Sequence, residues 1–195
     1  MRPEVTSNFL AFTEKFEGAT TFPYLDVKRL VTVGFGNLAD PFALFDEFDW
    51  THADGSPATR SELTTSYLSV KQDKTLNPAG GGAQYAKLTA IRATKASIAR
   101  VCAKKLASFE AQVRPHFDDW DGLPWQAQLC VLSMAWACGG LMFEHDKWPS
   151  FRAAVNACDW KEASKQSFMS EAGQNASFHK RNVEDAALMM SLVSP

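Results

Sequence analysis

The segment EKFEGATTFPYLDVKRLVTVGFGN, residues 14–37, decides how the rest of the chain is read, because its apolar period changes partway through. Phe9, Phe12 and Phe16 recur at helical spacing, Thr6 or Ser7 can cap the start, and Gly18 is placed to end the run. That predicts a helix over residues 7–16. Val31, Val33 and Phe35 then alternate, so a strand carries them on one face and Thr32 on the other. Residues 24–37 therefore read as a β-hairpin turning at Val27-Lys28-Arg29.

Outward from this segment the chain becomes helical. Residues 40–88 read as irregular, with Pro41, Pro57, Pro78, an acidic patch (Asp46, Glu47, Asp49, Asp54) and Gly80-Gly81-Gly82. One helix is expected there, over 60–71, entered by the capping box Thr59-x-x-Glu62. The acidic patch lacks the dense ladder of a calcium loop and reads as solvated, so no metal is expected. Residues 89–116 read as one long helix with Ile91, Ile98, Val101, Phe109 and Val113 as its stripe, ended by Pro115. WQAQLCVLSMAWAC, residues 125–138, is apolar almost all round, as a central buried helix should be, and Gly139-Gly140 stops it. Further helices are expected at 149–157, 159–169 and 180–192. The expected fold class is α+β and mainly helical. A small N-terminal hairpin lobe (1–88) is joined by a long helix (89–116) to a C-terminal helical lobe (117–195), all in one domain.

Composition narrows the function classes. The chain has 195 residues, of which 46% are hydrophobic and 22% charged, ordinary values for a globular protein with a core. A net charge of −2 offers no global field for nucleic acid or an anionic membrane, so neither is an expected partner. Lys104, Lys105 and Arg114 read as a solvated helix face. No apolar run reaches the ~20 residues that span a bilayer, and the first residues, MRPEVTSNF, lack a signal-peptide core. Synthesis in the cytosol is expected. Cys102, Cys130, Cys138 and Cys158 form no Cys-x-x-Cys pair and read as reduced core thiols.

The opening segment carries the candidate chemistry. Glu17 ends an apolar helix beside Phe16, where burial would favour the protonated carboxyl that a general acid needs. Asp26 sits by a polar turn that can keep it ionised, and the Thr32 hydroxyl can orient a water. A proton donor, a carboxylate and a water-holding hydroxyl are the parts of a glycosidase site. Alone, Glu-x8-Asp-x5-Thr is a weak pattern, and its carboxylates read first as ordinary surface residues.

F-E-G, Y-L-D and V-T-V-G-F-G-N together resemble the phage-type lysozymes, or endolysins, whose N-terminal lobe carries a Glu-x8-Asp-x5-Thr triad followed by Gly-x-Gly-His. Leu88-Thr89 is similar to the family's Ile/Leu-Thr opening the long helix. Gln128 to Gly139, Asn156 to Ala163 and Arg181-x-x-Glu184-x3-Leu188 follow in the family's order across nearly the whole chain. The resemblance implies a lysozyme-like fold and a muramidase that cuts the β-1,4 bond between N-acetylmuramic acid and N-acetylglucosamine in bacterial peptidoglycan. Glu17 would be the general acid, and Asp26 and Thr32 would place the water or stabilise the transition state. The cleft would lie between the lobes, with no cofactor. Phe35, Asn37 and Trp136 are the candidate substrate contacts, Trp136 reading either as a sugar-stacking face or as a core aromatic.

Three positions depart from the family. Arg29 stands where its turn has Gly, so the hairpin tip is expected to differ, since arginine is strained at positive φ. Asn37 replaces its His, and Trp136-Ala137 its Phe-Asn. The rival readings are a lytic transglycosylase and a non-catalytic peptidoglycan-binding module. Delivery by a holin, as for an endolysin, or by a secretion apparatus, as for an antibacterial effector or bacteriocin-like domain, would bring a monomer to the periplasm. An effector would also need an immunity protein.

Overall fold

A computed structural model describes residues 1–144, 147–169 and 176–193. The fold is α+β, mainly helical with a small antiparallel sheet. The chain divides into two compact units, Glu17–Cys102 on one side and Met1–Phe16 with Ala103–Pro195 on the other. The sequence reading grouped the first helix with the hairpin; all of that helix but its last residue falls with the C-terminal elements.

In the unit Glu17–Cys102, β1 (Thr20–Leu25), β2 (Val31–Gly34) and β3 (Asn37–Leu38) form an antiparallel sheet in that order. The expected two-stranded hairpin is thus a three-stranded meander, with Asn37 opening the third strand. Leu25, Val31 and Val33 are fully buried and anchor it. Gly34 has φ +68°, and a Cβ there would stand 2.8 Å from Ile98 and 2.9 Å from the Asn37 amide, so only glycine fits.

Residues 40–88 are less irregular than the sequence suggests. α2 (Phe42–Phe45) and β4 (Trp50–Thr51) precede α3 (Arg60–Lys71), which begins and ends where expected. The Thr59–Glu62 capping box is formed in both directions. Phe45 stacks on Trp50 with ring centroids 4.2 Å apart and meets Tyr67 of α3 edge-on. Asp40 ties α3 to the sheet, accepting from the Tyr67 hydroxyl at 2.7 Å, from the Val31 amide at 3.2 Å and from Lys71. Burial pushes its carboxyl up, but the bonds from Lys71, Tyr67 and Val31 outweigh that and hold it below the ordinary value. The acidic patch is spent on local partners: Asp46 on Arg60, Asp49 on Arg100, and Asp54 on Ser56.

The long helix is shorter than its apolar stripe predicts. α4 runs Lys95–Val113, and Arg114–His116 follow as a 3-10 turn. Thr94 caps it by accepting from the Ser97 amide at 3.1 Å. Before it, β5 (Arg92–Ala93) pairs antiparallel with β4, Trp50 opposite Ala93. Ile91 is therefore a buried residue at the entry to a strand, not a helical knob.

In the other unit, α1 spans Pro3–Glu17 and starts four residues before its expected first turn. Proline suits the first helical position, where its preset φ helps and no N–H is lost. α5 (Trp125–Cys138) is buried from Ala127 to Trp136, as its composition predicts. α6 (Pro149–Asn156), α7 (Trp160–Gln166) and α8 (Ala176–Met190) follow, with α8 against α5 and α7, and α6 against α7. Cys102 and Cys130 are buried, whereas Cys138 and Cys158 are exposed, so only two of the four thiols belong to a core; none of the four is in a disulfide. Among the described residues no helix is long and apolar enough to cross a membrane.

Candidate active site

The candidate triad lies within the unit Glu17–Cys102. Asp26 is fixed by the hairpin turn. The Arg29 amide donates to the Asp26 carbonyl at 2.8 Å, and the Asp26 amide donates to the Leu30 carbonyl at 3.0 Å. The Asp26 carboxylate joins in. Its Oδ1 accepts from the Lys28 and Leu30 amides, both at 2.9 Å. Aspartate at the first position of such a turn is favoured for this bonding, so part of the residue's role is architectural. Oδ2 has no hydrogen bond among the described residues and is the oxygen that chemistry can use.

Arg29 takes φ +59°, the left-handed conformation that the sequence reading expected arginine to avoid. The tip is held from outside: the Arg29 guanidinium donates to the Asp73 carbonyl, and Lys71 Nζ donates to the Arg29 carbonyl at 3.2 Å.

Thr32 is opposite Tyr24 on β1 and Leu38 on β3, so these three side chains share one face of the sheet. Its hydroxyl donates to the Leu30 carbonyl at 3.2 Å, and the residue is only 4% exposed. That leaves an acceptor lone pair in a covered place, where the sequence reading expected an open water site.

Glu17 is exposed, at the last position of α1. The apolar enclosure expected from its neighbour Phe16 is not what surrounds it. Its carboxylate stands beside the β2–β3 turn, where a Cβ on Gly36 (φ +74°) would lie 3.9 Å from Glu17 Oε2.

The residue that sequence reasoning missed is Tyr24. Its phenol is pushed up to about 12, first by burial, then by the charge of Glu17, then by that of Asp26. One side chain therefore feels both candidate carboxylates, and it remains a neutral hydrogen-bond donor across the working pH range. The signal was available: Tyr24 precedes Asp26 by two residues, and strand parity puts such residues on one face.

The candidate substrate contacts fare differently. Phe35 is 6% exposed and Asn37 1%. The Asn37 amide donates to the Val33 carbonyl at 3.3 Å and to Cys102 Sγ at 3.2 Å, so it is a buried strut, not a sugar ligand. Trp136 is a core residue of the other unit, 4.9 Å from the Phe9 ring and 5.9 Å from Phe109, with Lys105 Nζ 3.9 Å from its ring centroid. Its ring offers no open stacking face. Bulk explains all three, because aromatic side chains and amides that look ligand-like in sequence also satisfy cores.

A carboxylate at a helix end, a second carboxylate in a turn and a neutral phenol between their fields can together donate a proton, accept one and hold an acceptor oxygen. No family model, no curated protein and no solved structure matches the chain.

Proposed function

We propose that the chain is a peptidoglycan hydrolase, a muramidase cutting the β-1,4 bond between N-acetylmuramic acid and N-acetylglucosamine. The Glu-x8-Asp-x5-Thr spacing shared with phage-type lysozymes supports the reading. The observation that carries it is that one small sheet gathers the pattern: Glu17 Oε2 stands beside the β2–β3 turn, Asp26 is fixed in the β1–β2 turn, and Thr32 lies opposite Tyr24, whose phenol both carboxylates help to push up. In this reading Glu17 protonates the leaving oxygen. Asp26, through Oδ2, and the Thr32 lone pair orient the attacking water or offset the oxocarbenium-like charge. No cofactor enters the chemistry. The substrate is bacterial cell wall, met in the periplasm after passage through a holin lesion or a secretion apparatus. An effector of this kind would be paired with an immunity protein in the producing cell.

One observation favours a second reading. Asp26 Oδ1 and the Thr32 hydroxyl proton are both committed to backbone partners, which weakens the water-holding pair. A lytic transglycosylase uses a carboxylic acid and no water. Mass spectrometry of the products from purified sacculi separates the two. Hydrolysis leaves free reducing ends that take up one oxygen from labelled water. Transglycosylation leaves anhydro-muramic ends, lighter by one water and unlabelled. Labelled reducing ends are the expected result, and anhydro ends would overturn the hydrolytic assignment.

A further inference from the structure

Three features converge on Tyr24, and none belongs to the Glu-x8-Asp-x5-Thr pattern. Its position opposite Thr32 puts it on the face of the sheet that holds the candidate hydroxyl. Its ring is pressed by backbone: a Cβ on Gly82 would lie 3.0–3.3 Å from three carbons of the Tyr24 ring, so the 3-10 turn Gly82–Lys87 packs on β1 at van der Waals distance. Gly82 ends the glycine run of residues 80–82, which gives that run a reason. Finally, the phenol has no hydrogen bond among the described residues and is not one of the sealed, unpartnered oxygens of the core. The other two tyrosines differ on that point. Tyr67 donates to Asp40, and the Tyr85 hydroxyl is enclosed without a partner. Only the Tyr24 hydroxyl is both uncommitted and not sealed from solvent.

We propose that Tyr24 is the substrate-contacting donor of the site, giving its phenolic hydrogen to an acceptor oxygen of the glycan, and that the Gly82 backbone is the wall that sets its ring. The chemistry is complementary. Glu17 and Asp26 supply acceptor oxygens or a titrating proton, and a sugar beside them presents hydroxyl, ring and acetamido oxygens that need a permanent donor. Burial and the two neighbouring charges keep the phenol protonated far above neutral pH, so its donor role does not depend on the catalytic proton. Residues 40–88 thereby acquire a function, as part of the site wall.

This inference rests on the muramidase reading, and one set of sacculus digests distinguishes their failures. Tyr24→Phe keeps the ring and removes the donor. It should lower kcat/KM about tenfold to a hundredfold, as loss of a preorganised donor does, while the melting temperature stays that of the wild type. Gly82→Ala should lower activity in the same direction by displacing the ring, and Gly82→Ala combined with Tyr24→Phe should add little further loss. If Tyr24→Phe retains activity within twofold while Glu17→Gln is inactive, the inference is wrong and the muramidase reading stands. Loss of activity that tracks a fall in melting temperature also overturns it, because Tyr24 would then be structural. If the wild-type protein releases no glycan, both fall together.

Discussion

A single backbone angle separates what Arg29 does from what its residue type suggests. At φ +59° a residue with a Cβ carries a cost of about 1–2 kcal/mol, which glycine escapes. Contacts to Asp73 and Lys71 offset it. Comparing Arg29→Gly with Arg29→Ala isolates the strain, since both lose the guanidinium. The glycine variant should melt higher by roughly 2–4 °C, the equivalent of about 1 kcal/mol. Equal melting temperatures would show that the tip relaxes out of the left-handed region. Asp26 teaches a related lesson. The sequence makes it a candidate catalytic carboxylate, and the same letters, an aspartate opening a turn, also make it a cap. Turn chemistry and catalysis ask for the same residue, so sequence alone does not separate the two roles.

At the scale of elements, legibility follows from how local the signal is. The start of α3 could be read because the capping box is written in four residues. α4 was over-extended because Ile91 continues an apolar stripe, and only pairing with the distant Trp50–Thr51 strand makes its neighbours β. α5 was readable as a buried helix, but its partner α8 was not fully so. The motif reading singled out Arg181 and Glu184. Arg181 and Asp185 are each fully buried, with Arg181 donating to Ser133 Oγ at 2.9 Å, whereas Glu184 meets Lys15 at the surface. Burial pushes the Asp185 carboxyl up to about 8, against smaller downward pulls from Ser133 and Arg181. The unfolded chain ionises this group near its ordinary value of about 3.9. Between that value and about 8 the folded state binds the extra proton. Stability is therefore full below the lower value and falls as pH rises towards the upper, by at most about 1.4 kcal/mol per pH unit. Asp185→Asn should flatten the fall in melting temperature between pH 5 and pH 9. An unchanged slope in that variant would mean that other groups cause it.

Across the whole molecule, the candidate catalytic residues and the candidate substrate contacts part company. Glu17, Tyr24, Asp26 and Thr32 belong to one unit and to one sheet with the helix end beside it. Phe35 and Asn37 are in that unit's interior, and Trp136 is in the core of the other. The class and most helices were legible because hydrophobic period reports burial directly. The site was legible only as a spacing, since period says nothing about which polar atoms remain reachable once strands pair. Residues 40–88 were the least legible part: their aromatic cluster and the packing of Gly82 on the Tyr24 ring depend on contacts between residues far apart in sequence.

The central claim is that Glu17 is the acid of a glycan-cleaving site, and the rate of reducing-end release from purified sacculi tests it most directly. Glu17→Gln, at an exposed helix end, should fold and melt like the wild type yet lose activity by at least a factor of about 100, the usual scale for removing a general acid. A Glu17→Gln protein that releases reducing ends at the wild-type rate would contradict the account.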